Sequence, residues 1–358
     1  MKAFGIKYDQ AHYRRLEAIY IKKINQLYLS ATREAVRIAE SLATGHDPGV
    51  IFEFDKFPRA KSRVDKLFKT LEKNILYTIN YATSREWDAA SKKNDDLVDR
   101  VLRSTTFKKE QVEHLYNRNL EALAAFQNRK VRGLNLSDRV WRYTNQFKGE
   151  IELGLDIGLS EGKSAAAMSR DLRQYLQNPD KLFRRVRDSR GELVLSKNAK
   201  KYHPGPGVYR SSYKNALRLT RTEVNMAYRE SDHERWQQLD FIVGFEVKRS
   251  NRVFDCALCD ALKGKYPKDF LFKGWHPSCR CYAVSIMSTI EEFIEREKAF
   301  MDGRDPGTLK SINEVRNVPE SYSKWITDNQ DRIENAKSKP YFITDNLKYS
   351  GEKLQGKV

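Results

Sequence analysis

Leu16, Tyr20, Ile24, Leu27, Ala31, Ala35, Ile38 and Leu42 recur at three- and four-residue steps, the period of one helical stripe running from Tyr8 to Ala43. Gly45 and the Asp47-Pro48-Gly49 turn end it. The same period predicts a helix from Ser62 to Ala90, through Val64, Leu67, Leu71, Ile75, Ile79 and Ala82, and another from Lys108 to Lys130. Three amphipathic helices with polar connections make residues 1–136 a helical N-terminal region, either a bundle or an extended arm.

Ser137-Asp138 reads as the cap of a fourth helix through Trp141, Phe147, Ile151 and Leu155, and the turn Gly158–Gly162 leads into a fifth, Ser164 to Leu176. A DNA-reading helix-turn-helix is conceivable there. However, Ala165, Met168 and Leu172 leave little basic surface, so the pair is read as packing. Alternation around Ser189-Arg190-Gly191 predicts a short hairpin between Arg184 and Ser196. A long helix from Ser211 to Leu239, strands at Phe241–Val247 and Cys281–Ile286, and a helix from Glu291 to Phe300 follow. Past Asp302 the chain turns polar and reads as a linker with one patterned island, Val318 to Ile343. The expected fold class is mainly α with a small α+β core. Long N-terminal helices precede a helical domain, residues 137–290, that bears a short β-sheet and a Cys/His cluster; residues 291–358 form a C-terminal helix and extended tail.

Charge changes the picture. The chain of 358 residues carries a net +18, and between Lys181 and Arg221 twelve basic residues face only Asp188 and Glu192, a net +10. Such a stripe fits phosphate, so Lys181, Arg184, Arg185, Arg187, Arg190, Lys197, Lys200 and Lys201 are the candidate nucleic-acid contacts, with double-stranded DNA as the expected ligand. Docking on an acidic protein, or solubility alone, is the plainer alternative. No apolar run reaches the ~18 residues of a spanning helix, and the start lacks an apolar secretion signal, so no membrane partner and cytoplasmic folding are expected.

All four cysteines fall within 26 residues, as Cys256-x-x-Cys259 and then His276-Pro-Ser-Cys279-Arg-Cys281. Two ligand knots separated by sixteen residues can fold back around one ion, and a reducing compartment favours thiolates held by metal. Cys256, Cys259 and His276, completed by Cys279 or Cys281, would make a closed, structural zinc site with no place for water. Two disulfides, or four reduced buried thiols, are the competing readings. No residue is assigned a catalytic role. His12, His46, His114, His203 and His233 are scattered and read as surface or capping residues.

Arg221-Thr222-Glu223 alone reads as an ordinary helical triplet. It is followed by Asn225, Ala227-Tyr228, Gly244, the Cys-x-x-Cys turn with Leu262 and Gly264, Trp275-His276-Pro277 and Cys279-Arg280-Cys281. That order resembles the phage Mu F-like head morphogenesis family of minor head, or minor capsid, proteins. The resemblance covers roughly residues 137–287, and its His-Pro-x-Cys-Arg-Cys ending is the specific part. Leu136–Trp141, Asp180–Val186 and the tail residues Val318-Pro319, Trp325, Asn329, Arg332-Ile333 and Pro340-Tyr341-Phe342 are similar to one branch of that family. It implies a non-enzymatic component made in the bacterial host cytoplasm and located in the virion, inside the head or at the portal vertex. Portal protein, other capsid components and DNA would be its partners. Some relatives carry toxin or ADP-ribosyltransferase domains at the C-terminus, for which the roughly 70 residues after Met287 are too few. Glu295 and Glu297 only superficially resemble a catalytic pair. Two other classes stand beside this reading. A metal-dependent, nuclease-like enzyme would use His276, Glu223 and Arg221 in a basic cleft. A DNA-binding regulator would need a recognition helix, and none is evident.

Overall fold

The computed structural model describes residues 4–42, 52–178, 186–187, 189–194, 209–250, 255–305 and 310–350. The protein is mainly helical, with a small antiparallel sheet and the Cys/His cluster close to it, as the hydrophobic periods predict. Two compact units interleave along the chain. One comprises residues 1–15, 82–126 and 222–358; the other comprises 16–81 and 127–221.

The second unit is helical. It holds a π-helical turn (Leu16–Ile21), α2 (Lys22–Glu40), the first part of α3 (Pro58–Leu102), α5 (Leu136–Ser160) and α6 (Ala165–Gln177). Tyr28 of α2 meets Phe147 of α5 at 4.8 Å between ring centroids, and Phe68 of α3 lies against the same ring. Met168 and Leu172 of α6 are buried, which makes that helix a packing element. Gly158 allows the close approach, since a Cβ there would stand 2.4 Å from Met168 Cγ. The cap of α5 is Asn135 rather than Ser137. Its side chain accepts from the Asp138 amide while Asp138 accepts from the Asn135 amide, a reciprocal box three residues long. The buried Glu150 accepts the backbone amide of Ser212 at 2.8 Å and so satisfies an orphan donor at the start of the next long helix, α7 (Ser212–Gln238). The expected hairpin forms from β1 (Val186–Arg187) and β2 (Leu193–Val194), antiparallel, with Gly191 at φ +79° in its turn.

The first unit contains α1 (Ile6–Arg15), the rest of α3, a 3₁₀ turn (Lys109–Tyr116), α4 (Leu120–Asn128) as far as Phe126, and α7 from Thr222. Its sheet has the order β4-β3-β5, with β3 (Ile242–Lys248) between β4 (Gly264–Tyr266) and β5 (Tyr282–Met287). The helix expected from Lys108 to Lys130 is two pieces. The Asn117 and Arg118 carbonyls accept from Arg235 and from the Trp87 indole, and Asn119 takes a left-handed φ of +52°. Tertiary donors take the carbonyls a continuous helix would use.

The polar stretch after Asp302 is not merely a linker. Helices α9 (Ile290–Met301), α10 (Glu320–Asp328), α11 (Gln330–Glu334) and α12 (Tyr341–Thr344) close the chain, and Tyr322, Ile326, Ile333, Phe342 and Ile343 join the core of Phe245, Val247, Tyr266 and Trp275. The Val315 amide donates to the Val243 carbonyl of β3 at 3.0 Å. Two glycines make room for this layer. At Gly244 a Cβ would come within 2.7 Å of Val315, and at Gly264 within 2.7 Å of Pro319. Asn346 brackets the Leu271 backbone, accepting from its amide at 2.7 Å and donating to its carbonyl at 3.0 Å.

Helix α1 is held by charge more than by apolar surface, since its buried residues are Asp9 and His12. Asp9 accepts from Arg229 of α7 at 2.7 Å, and Lys93 of α3 bonds Asp232 at 2.6 Å. His12 is fully buried, not the surface or capping group its isolation in the sequence predicts. Its Nδ1 bonds Glu86 at 2.8 Å and its ring stacks on Tyr228 at 4.2 Å. Burial pushes His12 below its ordinary pKa. The Glu86 carboxyl is raised by burial, but hydrogen bonds from Arg15 and His12 outweigh that and hold it at about 2.

Candidate metal centre

Each ligand knot is a backbone turn held from outside. Cys256 precedes the short helix α8 (Ala257–Ala261), and the Asp260 amide closes back onto the Cys256 carbonyl at 3.0 Å. That turn brings the Cys256 and Cys259 thiols to one side. The second knot turns at His276, whose carbonyl accepts the Cys279 amide at 2.9 Å, with Ser278 at a left-handed φ of +63°. Gly274, at φ +107°, enters this turn where a side chain would not fit, because a Cβ would stand 3.0 Å from that of Cys279.

The two knots meet at Cys259. Its Sγ lies 3.2 Å from His276 Nε2 and 3.9 Å from Cys279 Sγ, and Cys256 Sγ is 3.3 Å from the same Nε2. Metal–ligand bonds of about 2.3 Å to sulfur and about 2.0–2.1 Å to nitrogen give tetrahedral edges of roughly 3.8 Å between sulfurs and roughly 3.6 Å between sulfur and nitrogen. The observed separations are close to these. Two overlapping ligand groups result, Cys256/Cys259/His276 and Cys259/Cys279/Cys281, sharing Cys259, and both can hold a metal ion. All four cysteines are free thiols, and Cys259, Cys279 and Cys281 are buried.

The imidazole is aimed for coordination. His276 Nδ1 lies 2.9 Å from the Pro277 carbonyl, which can only accept, so Nδ1 carries the proton and Nε2 offers its lone pair to the thiol side. Hydrogen bonds from the Cys259 and Cys281 thiols, helped by the Trp275 backbone, hold Cys279 well below the ordinary thiol value against the effect of burial. Cys259 is pushed up by the bond it makes to Cys279. Coordination needs thiolates, and this cluster already favours one.

Helix α7 supports the second knot from outside. Thr222 Oγ1 accepts the Ser278 amide at 3.3 Å, Asn225 Nδ2 donates to the Cys279 carbonyl at 3.3 Å, and Arg229 Nη2 donates to the Cys281 carbonyl at 3.4 Å. Tyr13 of α1 donates to that last carbonyl at 3.3 Å. Positions 222, 225 and 229 follow the three-and-four step of one helix face, so the Arg-Thr-Glu helix and the cysteine turn are one assembly. Sequence reasoning missed Tyr13 and Arg229. An arginine seven residues, two helical turns, after Thr222 and so on its face was the available signal. Arg229 pairs with Asp9 and Asp232. Glu223 is buried, and Arg221 forms a two-pronged pair with Glu17 at 3.1 and 3.0 Å.

Of the candidate nucleic-acid residues, Arg190 is exposed in the β1–β2 turn and Arg187 lies on β1, whereas Lys181, Arg184, Arg185, Lys197, Lys200 and Lys201 lie outside the described residues. Comparison with family models, with curated proteins and with solved structures returned no match.

Proposed function

We propose that this chain is a minor head protein of a phage or prophage, acting in head assembly beside the portal and packaged DNA and without enzymatic activity. The observation that carries this reading is the meeting of its separated motifs. Thr222 and Asn225 bond to the Ser278–Cys279 turn, which supports reading the signature from Thr222 to Cys281 as one structural device. The ion is proposed to be zinc, held by Cys256, Cys259 and His276 with Cys279 or Cys281. It would tie the two knots together as a folding element. Such a set of four protein donors would fill a tetrahedral shell and leave no position for an attacking water, which favours a structural role over hydrolysis. Among the described residues no helix is long and apolar enough to cross a membrane.

Particles assembled with an epitope-tagged copy of this chain test the reading. The tagged protein is expected in DNA-filled heads and in portal-containing assembly intermediates. Its absence from both, together with metal-dependent DNA cleavage that Glu223→Gln abolishes, would establish the nuclease reading instead.

The proposed contact with double-stranded DNA rests on the basic segment. Neutralising Arg184, Arg185 and Arg187 with glutamine is expected to flatten the dependence of log affinity on log salt by roughly 2–3, about 0.9 per lost phosphate contact. Binding isotherms at four or five salt concentrations measure it. An unchanged slope removes DNA from that segment.

A further inference from the structure

Helix α1 supplies no ligand to the cluster, yet Asp9, His12 and Tyr13 all reach the second knot, directly or through one residue of α7. The Tyr13 hydroxyl donates to the Cys281 carbonyl at 3.3 Å. Asp9 accepts from Arg229 Nη1 at 2.7 Å, and Nη2 of the same guanidinium donates to that carbonyl at 3.4 Å. His12 Nε2 lies 3.4 Å from Asn225 Oδ1, while Asn225 Nδ2 donates to the Cys279 carbonyl at 3.3 Å. Positions 9, 12 and 13 follow the three- and four-residue steps of one helix face, and all these residues belong to one compact unit.

The Tyr13 proton has one place to go. Arg229 Nη2 lies 3.3 Å from the same hydroxyl and can only donate, so the oxygen accepts there and its hydrogen is left for the Cys281 carbonyl. These routes converge on the peptide oxygens of Cys279 and Cys281, the two thiols either of which can complete the set begun by Cys256, Cys259 and His276. Fixing a ligand's backbone fixes where its side chain starts, and groups outside the ligand set raise metal affinity in this way. The buried residues of α1 are Asp9 and His12, so directed polar bonds rather than an apolar face tie this helix to the turn.

We propose that Tyr13 is a positioning residue of the ion site, seconded by Asp9 and His12, and that α1 thereby raises the affinity of the cluster for zinc from outside the ligand set. This rests on the zinc reading of the cluster and is independent of the head-protein reading.

Zinc dissociation constants of the full chain, measured by competition with a coloured chelator, test this with Tyr13→Phe, which removes one oxygen and keeps the ring. The control is Tyr349→Phe, which removes a hydroxyl of the same unit that bonds Asp269 at 2.6 Å instead. Tyr13→Phe is expected to weaken zinc binding roughly two- to ten-fold, the net share of one hydrogen bond, and Tyr349→Phe to leave it unchanged. Thermal melts separate positioning from plain support of the fold. A bond that serves the ion site costs more stability with zinc bound than in EDTA, and the excess must match the loss of affinity, because the four states close one thermodynamic cycle. Equal losses with zinc and in EDTA, or the same weakening from Tyr349→Phe, overturn the proposal. Zinc held with equal affinity by the parent and Tyr13→Phe overturns this inference alone. A parent chain that takes up no zinc overturns the zinc reading and this inference together.

Discussion

Cys259→Ser is expected to abolish binding of the proposed ion and to lower the stability of the unit that contains the sheet by about 3–5 kcal/mol. Cys259 is the thiol common to both ligand groups, so without it the remaining donors stand as two separate pairs, Cys256 with His276 and Cys279 with Cys281. Structural zinc in small finger peptides is worth ~10–16 kcal/mol of apparent binding energy, but those peptides have almost no other core. Here Phe245, Tyr266, Phe270, Trp275 and Phe342 remain packed beside the knots, so a smaller share of the fold depends on the ion. At roughly 2–4 °C per kcal/mol for a domain of this size class, the melting temperature should fall by about 10 °C. Cys281→Ser is the internal control, since Cys279 remains to complete the four. It should keep about one equivalent of metal and melt close to the parent protein. Elemental analysis after purification in chelator-free buffer, paired with thermal melts with and without EDTA, decides the matter. A parent protein that carries no metal and ignores EDTA would sink both the ion and its proposed structural role.

The parts of the molecule that were legible beforehand are those set by local period and local chemistry. The helix stripes through Leu16–Ile38, Val64–Ile79 and Phe147–Leu155 announce their own buried faces, and Cys256-x-x-Cys259 with His276 announces a ligand set. What escaped was decided at long range. The break at Asn117–Asn119 follows from donors on Trp87 and Arg235, residues that no window around position 118 contains. The island from Val318 to Ile343 showed its pattern but not its seat, because the room for it comes from two glycines, Gly244 and Gly264, whose missing side chains are visible only when Val315 and Pro319 lie over them. His12 looked like a stray surface residue for the same reason. Glu86 stands 74 positions away, and nothing in α1 itself shows that a polar helix is the buried one. Burying charge depends on geometry between elements, and hydrophobic periodicity is blind to it.

That buried charge carries the other large effect. Arg229→Met is expected to cost about 3–5 kcal/mol at neutral pH, because it leaves Asp9 and Asp232 buried with one cation fewer and removes a donor from the Cys281 carbonyl. The dependence on pH separates this from simple loss of packing. Burial raises the Asp232 carboxyl above its ordinary value even with Lys93 and Arg229 beside it. A carboxylate whose folded pKa lies above its unfolded one contributes stability that is present below the unfolded value and is lost as pH rises through the folded value. Taking Arg229 away raises Asp232 further, so the penalty of the substitution should be largest at pH 7 to 8 and should shrink toward pH 4. The parent protein moves the opposite way over that range. Glu86, held at about 2, gives stability that is present above its unfolded value and is lost as pH falls toward 2, and His12, depressed by burial, begins to lose its share below about 6.5. Urea melts of the two proteins at pH 4, 5.5 and 7.5 should therefore show both weakening in acid through Glu86 and His12, which they share, while the gap between them narrows because the penalty of the substitution shrinks. Adding Asp9→Asn to Arg229→Met should recover part of the loss at pH 7.5, since it removes one of the two carboxylates left short of a cation. A penalty that is constant across this range would mean that Arg229 acts through its packing and its carbonyl contact alone, with no part for the charge it brings to Asp9 and Asp232.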